Sequence, residues 1–142
     1  MGKILGRLFG HKSRDRRKPN HHRRTLLQFN TLEEKLSVWV DRNGYRHPDA
    51  TVSEAAGAIG VEPYLLQRYF SEERGEDFRS WRSRLRIEDA CRELLSDPKR
   101  PTSEIGRRVG FSDRSNFARQ FSKVTGMTPS QYRERFLVHP NA

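Results

Sequence analysis

The stretches SEAAGAIGVEPYLLQRYFSEERG (residues 53–75) and SEIGRRVGFSDRSNFARQFSKVTG (residues 103–126) decide the fold, because they are two copies of one pattern. Ser53-Glu54 recurs as Ser103-Glu104, Ile59-Gly60 as Val109-Gly110 and Val61 as Phe111, all at an offset of 50. One inserted residue then moves the offset to 51. Leu66 matches Phe117, Arg68 matches Arg119, Phe70-Ser71 matches Phe121-Ser122, Gly75 matches Gly126 and Trp81 matches Tyr132. Each copy is a short helical stretch, a turn containing glycine and a longer helical stretch, which is the helix-turn-helix arrangement. Glycine at the turn gives access to positive φ and lets the second helix leave steeply.

Working outward, the spacing of apolar residues stays helical. Phe29, Leu32, Leu36, Trp39 and Val40 follow a 3/4 rhythm that Asn43-Gly44 ends. Helices are predicted over Thr51–Ile59, from Pro63 to Gly75, over Asp77–Ser96, Ser103–Val109 and Asp113–Val124, and from Thr128-Pro129 to about Phe136. No run alternates with period two, so an all-α fold is expected. The helix between the copies has roughly 20 residues and a length of about 30 Å, near the ~34 Å turn of B-DNA.

The second helix of each copy is two-faced. With about 100° per residue, Tyr64, Gln67, Arg68 and Ser71 share one arc, and Leu65, Leu66, Tyr69 and Phe70 share the opposite one. In the second copy Phe117, Phe121 and Val124 cluster on one side. Ser115, Ala118, Arg119 and Ser122 lie on the other, with Arg114 beside them in the first turn. Any surface helix has a polar face. Two matching faces in a duplicated helix-turn-helix, built of amide, guanidinium, hydroxyl and aromatic groups, point instead to base edges. Arg bonds guanine in bidentate fashion, Gln does so with adenine, and an aromatic packs on the thymine methyl.

Composition sets the remaining bounds. The 142 residues carry 28 Lys+Arg against 18 Asp+Glu, a net charge of +10, and only 33% are apolar. Residues 1–30 hold nine of those bases and a single acid, Asp15, so the other 112 residues are near balance at +2. That distribution predicts an arm, residues 1–30, disordered over roughly 10–28, in which Arg14, Arg16, Arg17, Lys18, Arg23 and Arg24 are candidate phosphate contacts. Such an arm suits DNA phosphates or a minor groove, an anionic membrane surface, or no partner beyond solvent. No apolar run approaches the roughly 20 residues of a membrane span. The start, MGKILGRLFG, has too short an apolar stretch for a secretory signal. Cys91 is the lone cysteine, consistent with a reducing cytoplasm, and its neighbours Ala90, Leu94 and Leu95 predict a packed thiol. His21-His22 has no cysteine or carboxylate near it in a ligand spacing, so no metal and no cofactor is expected. No nucleophile–base set, acid pair or glycine-rich phosphate loop sits on a suitable scaffold, which argues against an enzyme.

Beyond these physical readings, the chain resembles the DNA-binding domain of AraC/XylS-type transcriptional regulators over about residues 31–137. Arg84-Leu85-Arg86-Ile87-Glu88-Asp89-Ala90 resembles that family's linker-helix signature. Ile105, the run from Gly110 to Phe117, Arg119, Phe121, Gly126, Thr128-Pro129 and Tyr132-Arg133 resemble its C-terminal signature. The resemblance implies seven helices in two helix-turn-helix subdomains of homeodomain-like form, joined by a long linker helix, with residues 138–142 as a short tail. It implies a sequence-specific transcription regulator that binds double-stranded DNA as a monomer, with RNA polymerase as a further partner. By the same resemblance the base-reading positions are Tyr64, Gln67 and Arg68 in the first unit and Arg114, Ser115, Ala118 and Arg119 in the second. The sequence departs from the pattern at Ala55, Gly57 and Gly106, and Glu62, Glu72, Glu73 and Glu76 give the first unit an acidic rim. No segment is long enough for a separate effector domain. Either a stand-alone regulator or the DNA-binding end of a longer, membrane-linked architecture is therefore expected. A helix-turn-helix module that acts on another protein is the competing reading.

Overall fold

The computed structural model of the chain describes residues 19–137. These residues form seven α-helices and no strand. The helices are α1 (Pro19–Asp41), α2 (Val52–Ile59), α3 (Pro63–Tyr69), α4 (Phe78–Ser96), α5 (Thr102–Arg108), α6 (Arg114–Thr125) and α7 (Pro129–Phe136). A 3-10 turn occupies Gly44–Arg46 and a π-helical turn occupies Phe70–Arg74. None of the described helices is long and apolar enough to cross a membrane.

Most helix starts have a local chemical cause. The Thr51 hydroxyl accepts the Glu54 N–H at the head of α2, and the Asp113 carboxylate accepts the Ser115 N–H at the head of α6. Thr128 and Gln131 form a reciprocal capping box ahead of α7, with Pro129 in its first turn. Ahead of α4, Asp77 accepts the Ser80 N–H at 2.7 Å, which holds its carboxyl below the usual range.

Two starts or continuations differ from the sequence expectation. The first helix begins at Pro19 rather than near Phe29, so residues 19–28, assigned above to the disordered arm, are helical. Among the side chains described there none is buried. Phe29, Leu32, Leu36, Trp39 and Val40 anchor the rest of α1 in a core, and extending an anchored helix costs far less than nucleating one. The second difference is the π-helical turn, which takes over from α3 at Phe70. A continuous α-helix to Gly75 is thereby replaced by a widened last turn, closed by Gly75 in the left-handed conformation.

The chain divides into two compact units. One gathers residues up to Gly44 with Asp49–Ser80, and the other gathers Tyr45–Pro48 with residues from Trp81 onward. In the first unit a run of aromatic contacts links α1, α3 and the start of α4. Phe29 meets Tyr69 edge-on at 5.5 Å, Tyr69 meets Phe70 at 5.4 Å, Phe70 meets Phe78 at 5.5 Å, and Phe78 meets Trp39 at 5.9 Å. Such pairs add stabilisation of about 0.5–1.5 kcal/mol each beyond simple burial. In the second unit Ile87, Ala90, Leu94, Ile105, Val109, Phe111, Phe117 and Phe121 form one buried cluster, with Cys91 and Tyr132 packed against it. Its aromatic run is Phe111, Phe117, Phe121, Tyr132 and Phe136. Burial pushes the Cys91 thiol up from its ordinary pKa, as befits a packed rather than a reactive cysteine. Val124, expected with Phe117 and Phe121, is 46% exposed, because the last turn of α6 runs past that cluster.

The second unit also explains the linker-helix signature. Arg86, only 4% exposed, donates from Nε to the Tyr45 carbonyl at 2.7 Å and from Nη2 to the His47 carbonyl at 2.9 Å. Its guanidinium lies over the Phe111 ring at 5.5 Å. Burial and the nearby Arg82 pull its pKa down to about 10, which leaves it charged at neutral pH. One turn on, Asp89 accepts the Tyr45 hydroxyl at 2.8 Å and the Arg46 guanidinium through both oxygens, at 2.6 and 2.7 Å. The four-residue loop Tyr45–Pro48 is thus clamped to α4 by two buried side chains.

Gly110 sits inside this clamp. Its φ is +118°, and a Cβ there would lie 2.6 Å from Arg86 Nε and 2.9 Å from the Tyr45 carbonyl. Gly106, one helix earlier, leaves room for a ring: a Cβ would lie 2.5 Å from Phe117. The missing side chain is therefore filled by packing. Gly57 is the contrast, an exposed mid-helix glycine with nothing within 4 Å of its would-be Cβ. Gly57→Ala is expected to raise stability by about 0.5–1 kcal/mol, and Gly110→Ala to lower it by at least ~1–3 kcal/mol. Denaturant melts of the two variants beside the parent check both signs.

Candidate nucleic-acid interface

The repeat seen in the sequence is a repeat in three dimensions. In the first unit α2 ends at Gly60, with φ +75°, and α3 begins after Glu62. In the second unit α5 leads through Gly110, and α6 begins after Asp113. The inserted residue of the second copy is Ser112, which lengthens the turn by one residue. Both longer segments then close on a left-handed glycine, Gly75 and Gly126.

The second helix of each unit buries one face, and burial fixes which side chains remain outside. In the first unit Leu66, Tyr69 and Phe70 are buried, so Tyr64 stands out at 68% exposure with Gln67 and Ser71 beside it. Arg68 lies partly covered along the same stripe. Its Nε and Nη2 donate to the two carboxylate oxygens of Glu72 at 3.0 and 3.3 Å, and its Cζ lies 5.8 Å from the Tyr64 ring centre. The bond to Glu72 raises the Arg68 pKa above its already high value. The Ser71 hydroxyl donates to the Arg68 carbonyl at 3.2 Å, the start of the widened turn.

In the second unit Phe117 and Phe121 are buried, and Arg114, Ser115, Ala118 and Arg119 are all exposed. Ser115 gives its N–H to the Asp113 cap at 2.9 Å. Arg119 donates from Nη2 to Asn116 Oδ1 at 3.1 Å. All eight sequence-predicted base-reading residues therefore lie on the outward stripes of α3 with its π-turn and of α6. Of the candidate phosphate contacts, Arg23 is exposed on α1 and Arg24 lies in the same helix. Arg14, Arg16, Arg17 and Lys18 fall outside the described residues.

Two features escape a reading of the sequence alone. Arg107 lines a cleft with Ser103, Asp113 and Arg114 at the head of α6, so it adds a basic group beside the second stripe. The adjacent basic pair Arg107-Arg108 at the end of the shorter helix is the available signal. The other is the Arg68–Glu72 pair, whose i,i+4 spacing is legible in the sequence but counts there only as excess acidity. Glu76, from the same acidic rim, is likewise engaged, by Arg74 Nη2 at 3.1 Å.

A helix-turn-helix domain family model matches residues 55–135, which is more than half of the chain and takes in both units. The chain belongs to the AraC/XylS-type helix-turn-helix family. Similar curated proteins include the arabinose operon regulatory protein of Salmonella typhimurium, 37% identical over 82 residues. That match covers 58% of this chain and 29% of the relative. The uncharacterized transcriptional regulatory protein YesN of Bacillus subtilis is 34% identical over 106 residues, covering 73% of this chain and 28% of the relative. Among solved structures, the C-terminal domain of the response regulator AraT from Geobacillus stearothermophilus superposes with a TM-score of 0.62 at 26% identity. There 90% of this chain covers 94% of the other. The chain spans under a third of the length of these two curated relatives, so what it shares with them is this domain.

Proposed function

We propose that the chain is a sequence-specific DNA-binding transcription regulator, in which α3 and α6 each enter a major-groove segment of double-stranded DNA. One observation carries this: the outward stripes occur twice, at matched positions of a duplicated helix-turn-helix, while the opposite faces are buried. Tyr64, Gln67, Arg68 and Ser71 read bases in the first segment, and Arg114, Ser115, Ala118 and Arg119 in the second. Ala118 contributes by its small size and methyl group, which suit a thymine methyl, while the arginines suit guanine. Two reading helices in one chain supply the paired half-sites that simpler helix-turn-helix proteins obtain by dimerising, so a single copy suffices on DNA. Membership of a family of DNA-binding regulators agrees with this chemistry and not with that of an enzyme.

The division between reading and holding is testable. Arg68→Ala and Arg119→Ala are each expected to cost ~1–3 kcal/mol on the preferred duplex and much less on a scrambled one. Fluorescence anisotropy at fixed salt measures both, and equal losses on the two duplexes would contradict the assigned roles.

The basic arm supplies non-specific attraction along the phosphates. Removing residues 1–18, which stops short of the helix at Pro19, is expected to flatten the dependence of log K on log salt by about 0.9 for each phosphate that the arm had neutralised. An unchanged slope would show that the arm does not lie on DNA.

A further inference from the structure

The two recognition helices carry the same arginine in different surroundings. Arg68 and Arg119 are equivalent in the repeat, but four residues later the first copy has Glu72 and the second has Lys123. That spacing puts the two side chains next to each other on a helix. In the first copy Glu72 grips the guanidinium at two points, and Tyr64, four residues the other way, lies under it. Arg68 and Glu72 are about equally exposed, at 27% and 32%, so the pair sits at the surface and faces outward. Arg119 has the neutral Asn116 oxygen instead, and a lysine at position 123 offers no acceptor.

The edge that Glu72 occupies matters. It takes the side-on edge of the guanidinium, made by Nε and Nη2. The end-on edge, made by Nη1 and Nη2, stays clear of Glu72, and it too presents two parallel N–H groups that fit O6 and N7 of a guanine in the major groove. A long exposed arginine samples many rotamers. One held between an aromatic ring and a carboxylate loses that freedom before DNA arrives, which favours the contact whose geometry is already set. The same carboxylate repels phosphates on every sequence.

We infer that Glu72 is a positioning residue that aims Arg68 at a guanine, sharpening base discrimination in the first unit while lowering its affinity for all sequences. This rests on the DNA-binding reading above. The two reading arginines then differ in their surroundings, since Arg68 works beside a carboxylate and Arg119 beside Lys123.

The test compares full-length parent, Arg68→Ala, Glu72→Ala and Glu72→Gln on the preferred duplex. Three further duplexes change the base pair at which Arg68→Ala abolishes preference. Glu72→Ala is expected to bind the three changed duplexes more tightly than the parent does and to lose roughly tenfold of the guanine preference. Glu72→Gln keeps one acceptor oxygen and is expected to recover part of that preference. A uniform gain on all four duplexes with the preference intact would overturn the inference, as would Glu72→Gln recovering none of it. A parent chain that prefers no base anywhere would instead remove the DNA-binding reading itself. Thermal melts of the variants separate lost aim from lost fold.

Discussion

Helices of seven and twelve residues do not hold themselves together in water. Below roughly 12–15 residues the cost of nucleation is not recovered by hydrogen bonds along the backbone. Helices α3 and α6 therefore exist only because one face of each unit's segment is buried: Leu66, Tyr69 and Phe70 in the first unit, Phe117 and Phe121 in the second. That same requirement decides which side chains face outward. A helix stabilised from one side must present its other side outward, and the outward residues here are Tyr64, Gln67, Arg68 and Ser71, then Arg114, Ser115, Ala118 and Arg119. The buried face and the outward stripe are two sides of one amphipathic pattern, used twice.

The second unit needs one further device. Its boundary reaches back to include Tyr45–Pro48, a loop between α1 and α2, and buried polar side chains hold that loop in addition to the burial of Tyr45. Arg86 satisfies two of its carbonyls, and Asp89 takes the Tyr45 hydroxyl and the Arg46 fork. A desolvated guanidinium and a buried carboxylate are tolerable only when their bonding groups are met. Burial beside Asp89 also pushes the Tyr45 hydroxyl far above its ordinary pKa, which keeps it a donor. Gly110 belongs to this device because only a residue without a side chain fits beneath Arg86 and the Tyr45 carbonyl. The linker-helix motif thus carries a structural clamp in this chain, made by Arg86 and Asp89.

Much of this is legible in the sequence because it depends on local periodicity. The repeat, the all-α class, six of the seven helices to within a few residues and both outward stripes follow from spacings of three and four residues and from glycine. What is not legible depends on three-dimensional neighbours. Residues 19–28 have the composition of a charged arm because they bury little themselves; their helicity is inherited from the anchored half of α1. The π-helical turn at Phe70–Arg74 has no period that a single sequence reveals. Gly106 reads as a weakness in its helix, yet it makes space for the Phe117 ring from across the turn. Glu72 reads as an acid too many on a DNA-binding face, until its carboxylate is found on Arg68.

The net charge of +10 is a poor guide to what this protein recognises, since most of the excess lies in the first 30 residues and the folded part is close to neutral. Affinity can come from charge alone, but selection among sequences must come from the two stripes. Enrichment of binding duplexes from a random pool by the full chain, at physiological salt, tests that distinction most directly. A motif with two separated blocks of fixed bases is expected, one block for each recognition helix. Recovery of DNA without any shared motif would contradict it.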